Sequence, residues 1–379
     1  MTAHRFVALR GPARTVFAGV SAAHAAGDVP LVVDERASAA QWDTVRAVVD
    51  GTRPHPDAVW ATLTSGSSGA PRIVQRTAAS WAASFPAIAD LLDAGPGDAV
   101  ALPAPPASSL TLFSLAHALD GAGPRPLLPH GHVLTAEDAA SATAFHGTPH
   151  ALRALLEAGA PRRLRTALVG GSHLDPRLRR QAEESGIRVA AYYGAAELSY
   201  VAIDTGDGLR AFPGVELDVR DGELWVRSPY TALGYAAASD GPEPLRRDGD
   251  WATVGDRAEL TDGRLRLLGR ADDAILSASA TIVPEEVESV LRAIPGVRDA
   301  VVFALPRGRV GALVAAVIEP SADGMPDLAQ LRRTADERLA PAHRPRRWFV
   351  ADLPRTASGK AARAETARRA TAGEVDRIG

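Results

Sequence analysis

The stretch "RTALVGGSHLDPRLRRQAEESGIRVAAYYGAAEL", Arg165 to Leu198, predicts the fold class of the chain. It begins with a short apolar run that is typical of a buried strand. The charged segment "PRLRRQAEESG" follows and indicates a helix that ends at a glycine. A second strand then ends in the glycine turn of "YYGAAEL". Strands that alternate with helices in this way indicate an α/β sheet.

The alternation extends toward the N-terminus, whereas the C-terminal part has another pattern. Apolar runs at 29–33 and 58–64 predict further buried strands. From about residue 209 to 270, alternating strands separated by Asp-Gly turns predict hairpins. We therefore expect an α/β chain with a large N-terminal domain (1–270) that includes a β-rich subdomain (209–270). A small mobile α+β domain (271–379) is expected to follow.

Composition excludes several classes of function. The chain of 379 residues has no cysteine, so disulfides, thiolate catalysis and cysteine-ligated metals are excluded. A net charge of −3 gives no overall basic field for nucleic acid. Arginines interrupt the apolar positions near the N-terminus, so no signal-peptide core is expected there. No apolar run reaches transmembrane length. We expect a cytoplasmic protein with neither nucleic acid nor membrane as a partner.

Lysine occurs once, at Lys360 in "LPRTASGKAAR" (353–363), among 42 basic residues. Composition bias alone could leave a single lysine anywhere in an arginine-rich chain. Lysine also differs physically from arginine, because its ammonium is a compact point charge and guanidinium is a broad planar fork. A site that needs one cation between a phosphate and a carboxylate would select lysine.

Four further motifs carry polar chemistry, and each is weak alone. "TLTSGSSGAPR" (62–72) offers hydroxyls and backbone N–H groups to phosphate, but a plain turn would look similar. Glu197 follows a strand end, where α/β folds bind ligands, although a single glutamate is usually solvated. Asp256 in "VGD" could be a turn aspartate or could bind ribose hydroxyls. Arg270 in "LGRADDAI" could belong to a salt-bridged linker.

The order of the motifs is specific. "TSGSSGAPR", "GGS", "YYGAAE", "GELWVRSPYTALGY", "VGD", "GRADDAI", "VPEEVE" and "PRTASGK" together resemble the adenylate-forming superfamily. That superfamily contains acyl-CoA synthetases, carrier-protein adenylation domains and luciferases. The resemblance extends from about Trp60 to Arg363. A similarly compact layout occurs in actinobacterial o-succinylbenzoate–CoA ligases. With 63 residues before Thr64, much of one N-terminal subdomain of the superfamily is expected to be missing.

The resemblance implies roles for residues that match the family motifs. Lys360 would bridge the substrate carboxylate and the α-phosphate of ATP, and Glu197 would hold Mg²⁺. Asp256 would bind the ribose, Arg270 would contact ribose or phosphate, and Asp272 would be the hinge of the C-terminal domain. The other implied ATP- or AMP-binding residues are Thr64, Ser65, Gly66, Ser67, Ser68, Gly69, Arg72, Gly170, Gly171, Ser172, Tyr192, Tyr193, Gly194 and Ala195.

Several positions depart from the family pattern. Arg72 stands where the phosphate loop usually has lysine, and Ala196 stands where a threonine usually precedes the glutamate. The aromatic or histidine gate is replaced by serines in "PAPPASSLTL" (103–112). Leu276 and Ser279 replace a lysine and a glycine of the C-terminal domain. That glycine normally lets a pantetheine arm pass close to the backbone, so Ser279 would narrow the thiol channel.

The resemblance therefore implies an ATP- and Mg²⁺-dependent enzyme that converts a small carboxylic acid to acyl-AMP. Coenzyme A is the expected acceptor, and an acyl carrier protein or an amine is the first alternative. A non-catalytic member that binds a nucleotide or acyl group is the second alternative. The oligomeric state is left open, with a homodimer as one possibility. The acid and the pathway are left open.

Overall fold

The structure, a computed structural model, describes residues 4–65, 71–236, 243–270, 275–277, 280–306, 312–321, 324–356 and 359–378. The helices in these ranges are α1 (Ala13–Ala25), α2 (Ala39–Gly51), α3 (Ala78–Ala82), α4 (Phe85–Leu92), α5 (Ser109–Leu119), α6 (Pro149–Glu157), α7 (Pro176–Glu184), α8 (Pro284–Arg292), α9 (Leu328–Arg338) and α10 (Arg363–Thr371). The strands are β1 (Phe6–Leu9), β2 (Val29–Val32), β3 (Trp60–Ser65), β4 (Pro71–Arg76), β5 (Ala99–Ala101), β6 (Arg125–Leu127), β7 (Ala144–Gly147), β8 (Thr166–Gly170), β9 (Arg188–Ala195), β10 (Ser199–Asp204), β11 (Arg210–Ala211), β12 (Glu216–Arg220), β13 (Glu223–Arg227), β14 (Gly234–Tyr235), β15 (Arg246–Asp248), β16 (Trp251–Thr253), β17 (Asp256–Thr261), β18 (Arg264–Arg270), β19 (Ile275–Ser277), β20 (Ala280–Ile282), β21 (Val297–Pro306), β22 (Ala312–Pro320), β23 (Arg347–Val350) and β24 (Asp376–Arg377).

Two sheets form the core of the N-terminal part. One has the order β1-β2-β3-β4-β14, and the other has the order β11-β10-β9-β8-β7-β5-β6. The strands from β6 to β9 of the second sheet are parallel, and α7 connects β8 to β9 as the sequence predicts. Helix α5 contacts strands of both sheets and is buried from Thr111 to His117. The α/β prediction is confirmed.

Hairpins dominate from β12 to β18, also as predicted. The order of this third sheet is β15-β16-β13-β17-β18, with β12 paired to β13. The turn residues Asp221 and Gly222 have φ values of 52° and 77°, and Asp262 and Gly263 have 51° and 71°. Positive φ at both central residues is the requirement of the tight hairpin turn that Asp-Gly favours.

Strand β14 lies within the predicted β-rich subdomain but joins the first sheet. It pairs with β4, and the flanking N–H groups of Leu233 and Ala236 donate to the carbonyls of Gln75 and Ile73 at 2.8 and 2.9 Å. These bonds satisfy the backbone groups of β4 that would otherwise form an open sheet edge.

The C-terminal part has its own core. Strands β21, β22, β23 and β24 form a sheet in that order, and the hairpin β19–β20 precedes them. Helix α8 packs against β21 and α9, and its Val287 and Leu291 are buried in the core cluster. Helix α8, strands β21 and β22, helix α9 and strand β23 follow one another along the chain, in agreement with the predicted α+β class. None of the helices in the described ranges is long and apolar enough to cross a membrane.

Candidate active site

The carboxyl ends of three parallel strands meet at one edge of the seven-stranded sheet. Thr148 follows β7, Gly171 follows β8, and β9 ends at Ala195. A parallel sheet binds ligands at this edge, because the loops there leave the sheet on the same side. The predicted residues of "GGS" and "YYGAAE" are therefore neighbours in space. Ser172 of the first motif is exposed there.

The predicted phosphate loop is described only at its two ends. Gly66, Ser67, Ser68 and Gly69 lie outside the described residues. Thr64 and Arg72 face each other in the β3–β4 ladder that carries the loop. Nε of Arg72 is buried with no hydrogen-bond partner among the described residues. A buried donor without a partner is costly, so this guanidinium is suited to an anionic ligand.

Glu197 is buried and positioned by a tight hairpin. A Cβ placed on Gly194 would lie 2.0 Å from the carbonyl oxygen of Ser199, so only glycine permits this approach of β9 to β10. The N–H of Leu198 donates to the carbonyl of Ala195 at 3.2 Å and closes the turn. Oε1 of Glu197 accepts a 2.8 Å hydrogen bond from the hydroxyl of Tyr235. Tyr235 is the last residue of "GELWVRSPYTALGY", and the sequence predicts no role for it.

Arg76 binds the backbone next to Glu197, a contact that no sequence motif predicted. Its guanidinium is buried, and Nε donates to the carbonyl of Ala196 at 3.1 Å while a second nitrogen donates to the carbonyl of Tyr230. Burial lowers the pKa of Arg76 to about 9, and the carboxylate of Glu197 opposes that shift. The signal that could have identified Arg76 is a charged residue at the end of an apolar strand.

Asp256 begins β17 directly after Gly255. Its Oδ2 accepts a hydrogen bond from the hydroxyl of Tyr193. Arg270, at the end of β18, stands opposite Asp256 in the strand ladder. Three predicted nucleotide-binding positions are therefore close together, and the partly exposed carboxylate of Asp256 can also accept from ligand hydroxyls.

Tyr192 points to the opposite side of β9 from Tyr193. A Cβ on Gly170 would lie 2.2 Å from the ring of Tyr192, so the ring rests directly on this glycine. The hydroxyl of Tyr192 lies 3.1 Å from Nε2 of His146, and Nδ1 of His146 lies 2.8 Å from Oγ of Ser114 on α5. Burial lowers the pKa of His146 to about 3, so its imidazole is neutral at physiological pH. None of the sequence motifs described above includes His146, and none assigns a role to Ser114.

Lys360 reaches the same edge from the C-terminal domain. Its Cε lies 3.3 Å from the position that a Cβ of Gly171 would occupy, and Gly171 has a φ of +89°. The loop that carries Lys360 is closed by the N–H of Thr356, which donates to the carbonyl of Lys360 at 2.7 Å. The structure therefore brings the single lysine to the strand ends that hold predicted nucleotide-binding residues.

Two further predicted positions cannot be placed. Asp272 and Ser279 lie outside the described residues, so the hinge and the thiol channel stay predictions. The serines at the expected gate lie at the start of α5, which begins at Ser109 with Ser108 as its N-cap residue and no side-chain capping hydrogen bond.

Two family models match the chain. Residues 13–236 match the AMP-binding enzyme family, and residues 286–360 match the AMP-binding enzyme C-terminal domain. In addition, an Escherichia coli MenE structure with bound OSB-AMS superposes with a TM-score of 0.83 at 23% identity, covering 98% of this chain and 89% of that chain. This likeness establishes the fold.

Curated relatives agree with the family models. A probable 2-succinylbenzoate–CoA ligase of Mycobacterium tuberculosis is 32% identical over 350 residues, which is 86% of this chain and 88% of the relative. The 2-succinylbenzoate–CoA ligase of Salmonella typhimurium is 33% identical over 302 residues, which is 76% of this chain and 64% of the relative. A medium/long-chain-fatty-acid–[acyl-carrier-protein] ligase of M. tuberculosis is 31% identical over 245 residues, or 55% of this chain and 45% of the relative. The chain thus spans less than two thirds of the length of the last two. Together with the matched domains, these findings show that the chain belongs to the AMP-binding enzyme family of the adenylate-forming superfamily.

Proposed function

We propose that the chain is an ATP-dependent ligase that converts a carboxylic acid to acyl-AMP and then transfers the acyl group to coenzyme A. The observation that carries the proposal is the position of Lys360. Its side chain extends from the C-terminal domain to Gly171, at the edge where Glu197 and the Tyr193–Asp256 pair also lie. A cation at this edge can neutralise charge on both the carboxylate and the α-phosphate.

In the first half-reaction, a carboxylate oxygen attacks the α-phosphorus of ATP. The bond from the α-phosphorus to the oxygen that bridges to the β-phosphate breaks, and pyrophosphate leaves with the electron pair. Carboxylate and phosphate repel each other, so catalysis consists mainly of positioning and charge neutralisation. Lys360 supplies positive charge between them, Arg72 binds phosphate oxygens, and Asp256 accepts hydrogen bonds from the ribose.

Glu197 fits a magnesium site in which the phosphates supply the other ligands. Mg²⁺ typically binds one or two protein carboxylates together with phosphate oxygens and water. The Tyr235 hydroxyl fixes one oxygen of the Glu197 carboxylate. When bound, the ion would neutralise charge on the phosphates of ATP and on the departing pyrophosphate.

In the second half-reaction, rotation of the C-terminal domain about Asp272 would replace the Lys360 loop by a thiol. The sulfur attacks the acyl carbon and the thiol proton passes to solvent, while the bond from that carbon to the phosphate oxygen breaks and AMP leaves with the electron pair. Coenzyme A is the proposed thiol, and both it and ATP fit a cytoplasmic location. The similarity to a carrier-protein ligase keeps an acyl carrier protein as the alternative acceptor. Ser279 in place of glycine would narrow the path of either pantetheine arm, so it favours an amine as acceptor.

The surroundings of Tyr192 favour an acid with one carboxylate and an uncharged tail. Tyr192 and Tyr193 lie on opposite faces of β9, so if the ribose binds beside Tyr193 and Asp256, the acyl group extends toward Tyr192. Behind the Tyr192 ring lie the neutral His146, Ser114 and the ring of Tyr200, whose centroid is 4.7 Å from that of Tyr192. A second carboxylate would be desolvated against this neutral cluster.

The test is an acid-dependent ATP–pyrophosphate exchange screen. The panel should hold straight-chain monocarboxylic acids of increasing length, aromatic monocarboxylic acids and 2-succinylbenzoate. We expect exchange with monocarboxylic acids, followed by thioester formation when coenzyme A is added. Acyl transfer to a carrier protein or an amine, with none to coenzyme A, would support the first alternative. Nucleotide binding without exchange for any acid would support a non-catalytic member.

A further inference from the structure

Thr148 occupies the junction between β7 and α6, and its side chain already has one role. Oγ1 of Thr148 accepts a hydrogen bond from the N–H of Ala151 at 3.3 Å and caps α6. The residue is buried, with 3% of its surface exposed.

Two glycines enclose Thr148, one from each domain. A Cβ placed on Gly359 would lie 2.9 Å from Oγ1 of Thr148, a distance that real Cβ atoms essentially never show. A Cβ placed on Gly171 would lie 3.6 Å from Cγ2 of the same threonine. The backbone of the C-terminal domain therefore approaches Thr148 as closely as the absence of a side chain at position 359 permits.

Gly359 directly precedes Lys360 and also contacts residues of its own, C-terminal domain. Its N–H donates to the carbonyl of Thr356 at 2.8 Å. Nη1 of Arg355 lies 3.4 Å from its carbonyl oxygen and donates to Asp299 at 3.1 Å, while Nη2 of Arg355 pairs with Glu319. Arg355, Thr356 and Gly359 are thus bonded to one another and to the C-terminal sheet, and Gly359 is a residue of this loop that contacts Thr148.

We propose that Thr148 is the positioning residue that receives the Lys360 loop during adenylation. Thr148 acts through the backbone of Gly359: it sets the depth at which the loop docks and thereby the position of the Lys360 ammonium. The inference rests on the proposed function, because it assigns the docked arrangement to the adenylation half-reaction. Thr148 would have no role once the C-terminal domain rotates to admit the thiol.

The first test adds a methyl group at the contact. Gly359→Ala should lower acid-dependent pyrophosphate exchange by about a hundredfold, because a misplacement of about 1 Å can cost that much in rate. It should leave the consumption of chemically supplied acyl-AMP unchanged. Gly373→Ala is the matched control, because Gly373 also has a positive φ (+75°, against +81° for Gly359) but open space around a Cβ. Equal exchange rates for the two variants would overturn the proposal.

A second variant relieves the collision. Thr148→Ala removes the oxygen that the new methyl group meets, so Gly359→Ala with Thr148→Ala should exchange at least about tenfold faster than Gly359→Ala alone. Thr77→Ala is the control for the lost helix cap, because Thr77 caps α3 through the N–H of Ser80 at 3.0 Å. Rescue by Thr77→Ala to the same extent would show that the effect is general and would contradict the proposal.

A cross-link measures the contact without any turnover. The chain has no cysteine, so a disulfide between Thr148→Cys and Gly359→Cys can be detected against no background. A Cβ on Gly359 would lie 2.9 Å from Oγ1 of Thr148, so two cysteines at these positions are within reach of a disulfide. Mild oxidation should join this pair but should not join Thr148→Cys with Gly373→Cys. Absence of the cross-link would refute the docking contact itself. If the link forms while the wild-type chain exchanges pyrophosphate with no acid, the docking contact stands and the proposed function fails.

Discussion

The hydroxyl of Tyr235 donates a 2.8 Å hydrogen bond to Oε1 of Glu197 across 38 residues of sequence. Tyr235 belongs to β14, which is placed by its pairing with β4. Arg76, at the end of β4, binds the carbonyl of the residue before Glu197. Because both supports originate on one strand pair, the orientation of the carboxylate depends on the first sheet as well as on its own hairpin.

Removing the Tyr235 hydroxyl should therefore weaken metal-dependent catalysis. We expect Tyr235→Phe to reduce pyrophosphate exchange by about three- to tenfold, the worth of about 0.7–1.4 kcal/mol from one oriented hydrogen bond. The Mg²⁺ concentration at half-maximal rate should rise. Tyr230→Phe is the control, because the Tyr230 hydroxyl donates to the carbonyl of Pro213 at 2.6 Å instead. An unchanged Mg²⁺ dependence in Tyr235→Phe would show that the tyrosine has no part in orienting Glu197.

Glu197 and Asp256 themselves should be indispensable. We expect Glu197→Gln and Asp256→Ala each to lower exchange by at least about tenfold, or about 1.4 kcal/mol of barrier. Asp256→Ala should also weaken AMP binding, measured by calorimetry, because the ribose hydroxyls lose their acceptor. Asp218→Ala, which removes an exposed carboxylate paired with Arg220 on β12, should change neither quantity. Near-normal exchange in folded Glu197→Gln or Asp256→Ala would reveal a misassignment.

Tyr192 should limit the length of the acid. Its ring is fixed between Gly170 and Tyr200, with its hydroxyl on His146, so it would form a rigid wall of the proposed acyl site. Tyr192→Ala should move the preferred straight-chain acid toward longer members of a homologous series, whereas Tyr192→Phe keeps the ring and should keep the preference. The measurement is kcat/KM for each acid in pyrophosphate exchange. The same length preference in the alanine variant would mean that the acyl group lies elsewhere.

Acid should destabilise the N-terminal domain through its buried histidines. Burial lowers the pKa of His146 to about 3 and that of His117 to about 4. Below an unfolded-state pKa of about 6.5, the unfolded chain binds protons that the folded chain excludes, so the free energy of unfolding falls as pH falls. The loss is at most about 1.4 kcal/mol per pH unit for each histidine.

Denaturant titrations between pH 7.5 and 5 would check this slope. His146→Gln should flatten it relative to the wild-type chain, while substitution of the surface residue His55 by glutamine should not. The same slope in all three proteins would indicate that His146 takes up its proton without unfolding.

The parts of the site that the sequence predicts are those encoded locally. Asp-Gly pairs predict the hairpins because both residues tolerate positive φ, as at Asp221 and Gly222. The position of Glu197 follows from a strand that ends in a glycine turn. Lys360 stands out because no other lysine is present.

The parts that the sequence does not predict depend on contacts between distant segments. Ser114, His146 and Tyr192 come from a helix and two strands and meet only after the sheet has formed. Arg76 is identified by its burial, which tertiary packing alone determines. The departure of β14 from the β-rich region reflects the backbone bonding capacity of β4, which sequence periodicity does not reveal.

The most direct test of the account is the pair of half-reactions in Lys360→Arg and Lys360→Ala. A flexible ammonium fits between carboxylate and phosphate where a planar guanidinium does not. We therefore predict that both variants lose acyl-AMP formation by about a hundredfold or more, a barrier increase of about 2.7 kcal/mol, and still consume chemically supplied acyl-AMP with the proper acceptor. Adenylation by Lys360→Arg at the wild-type rate would contradict the central claim, because the single lysine would then be an accident of composition.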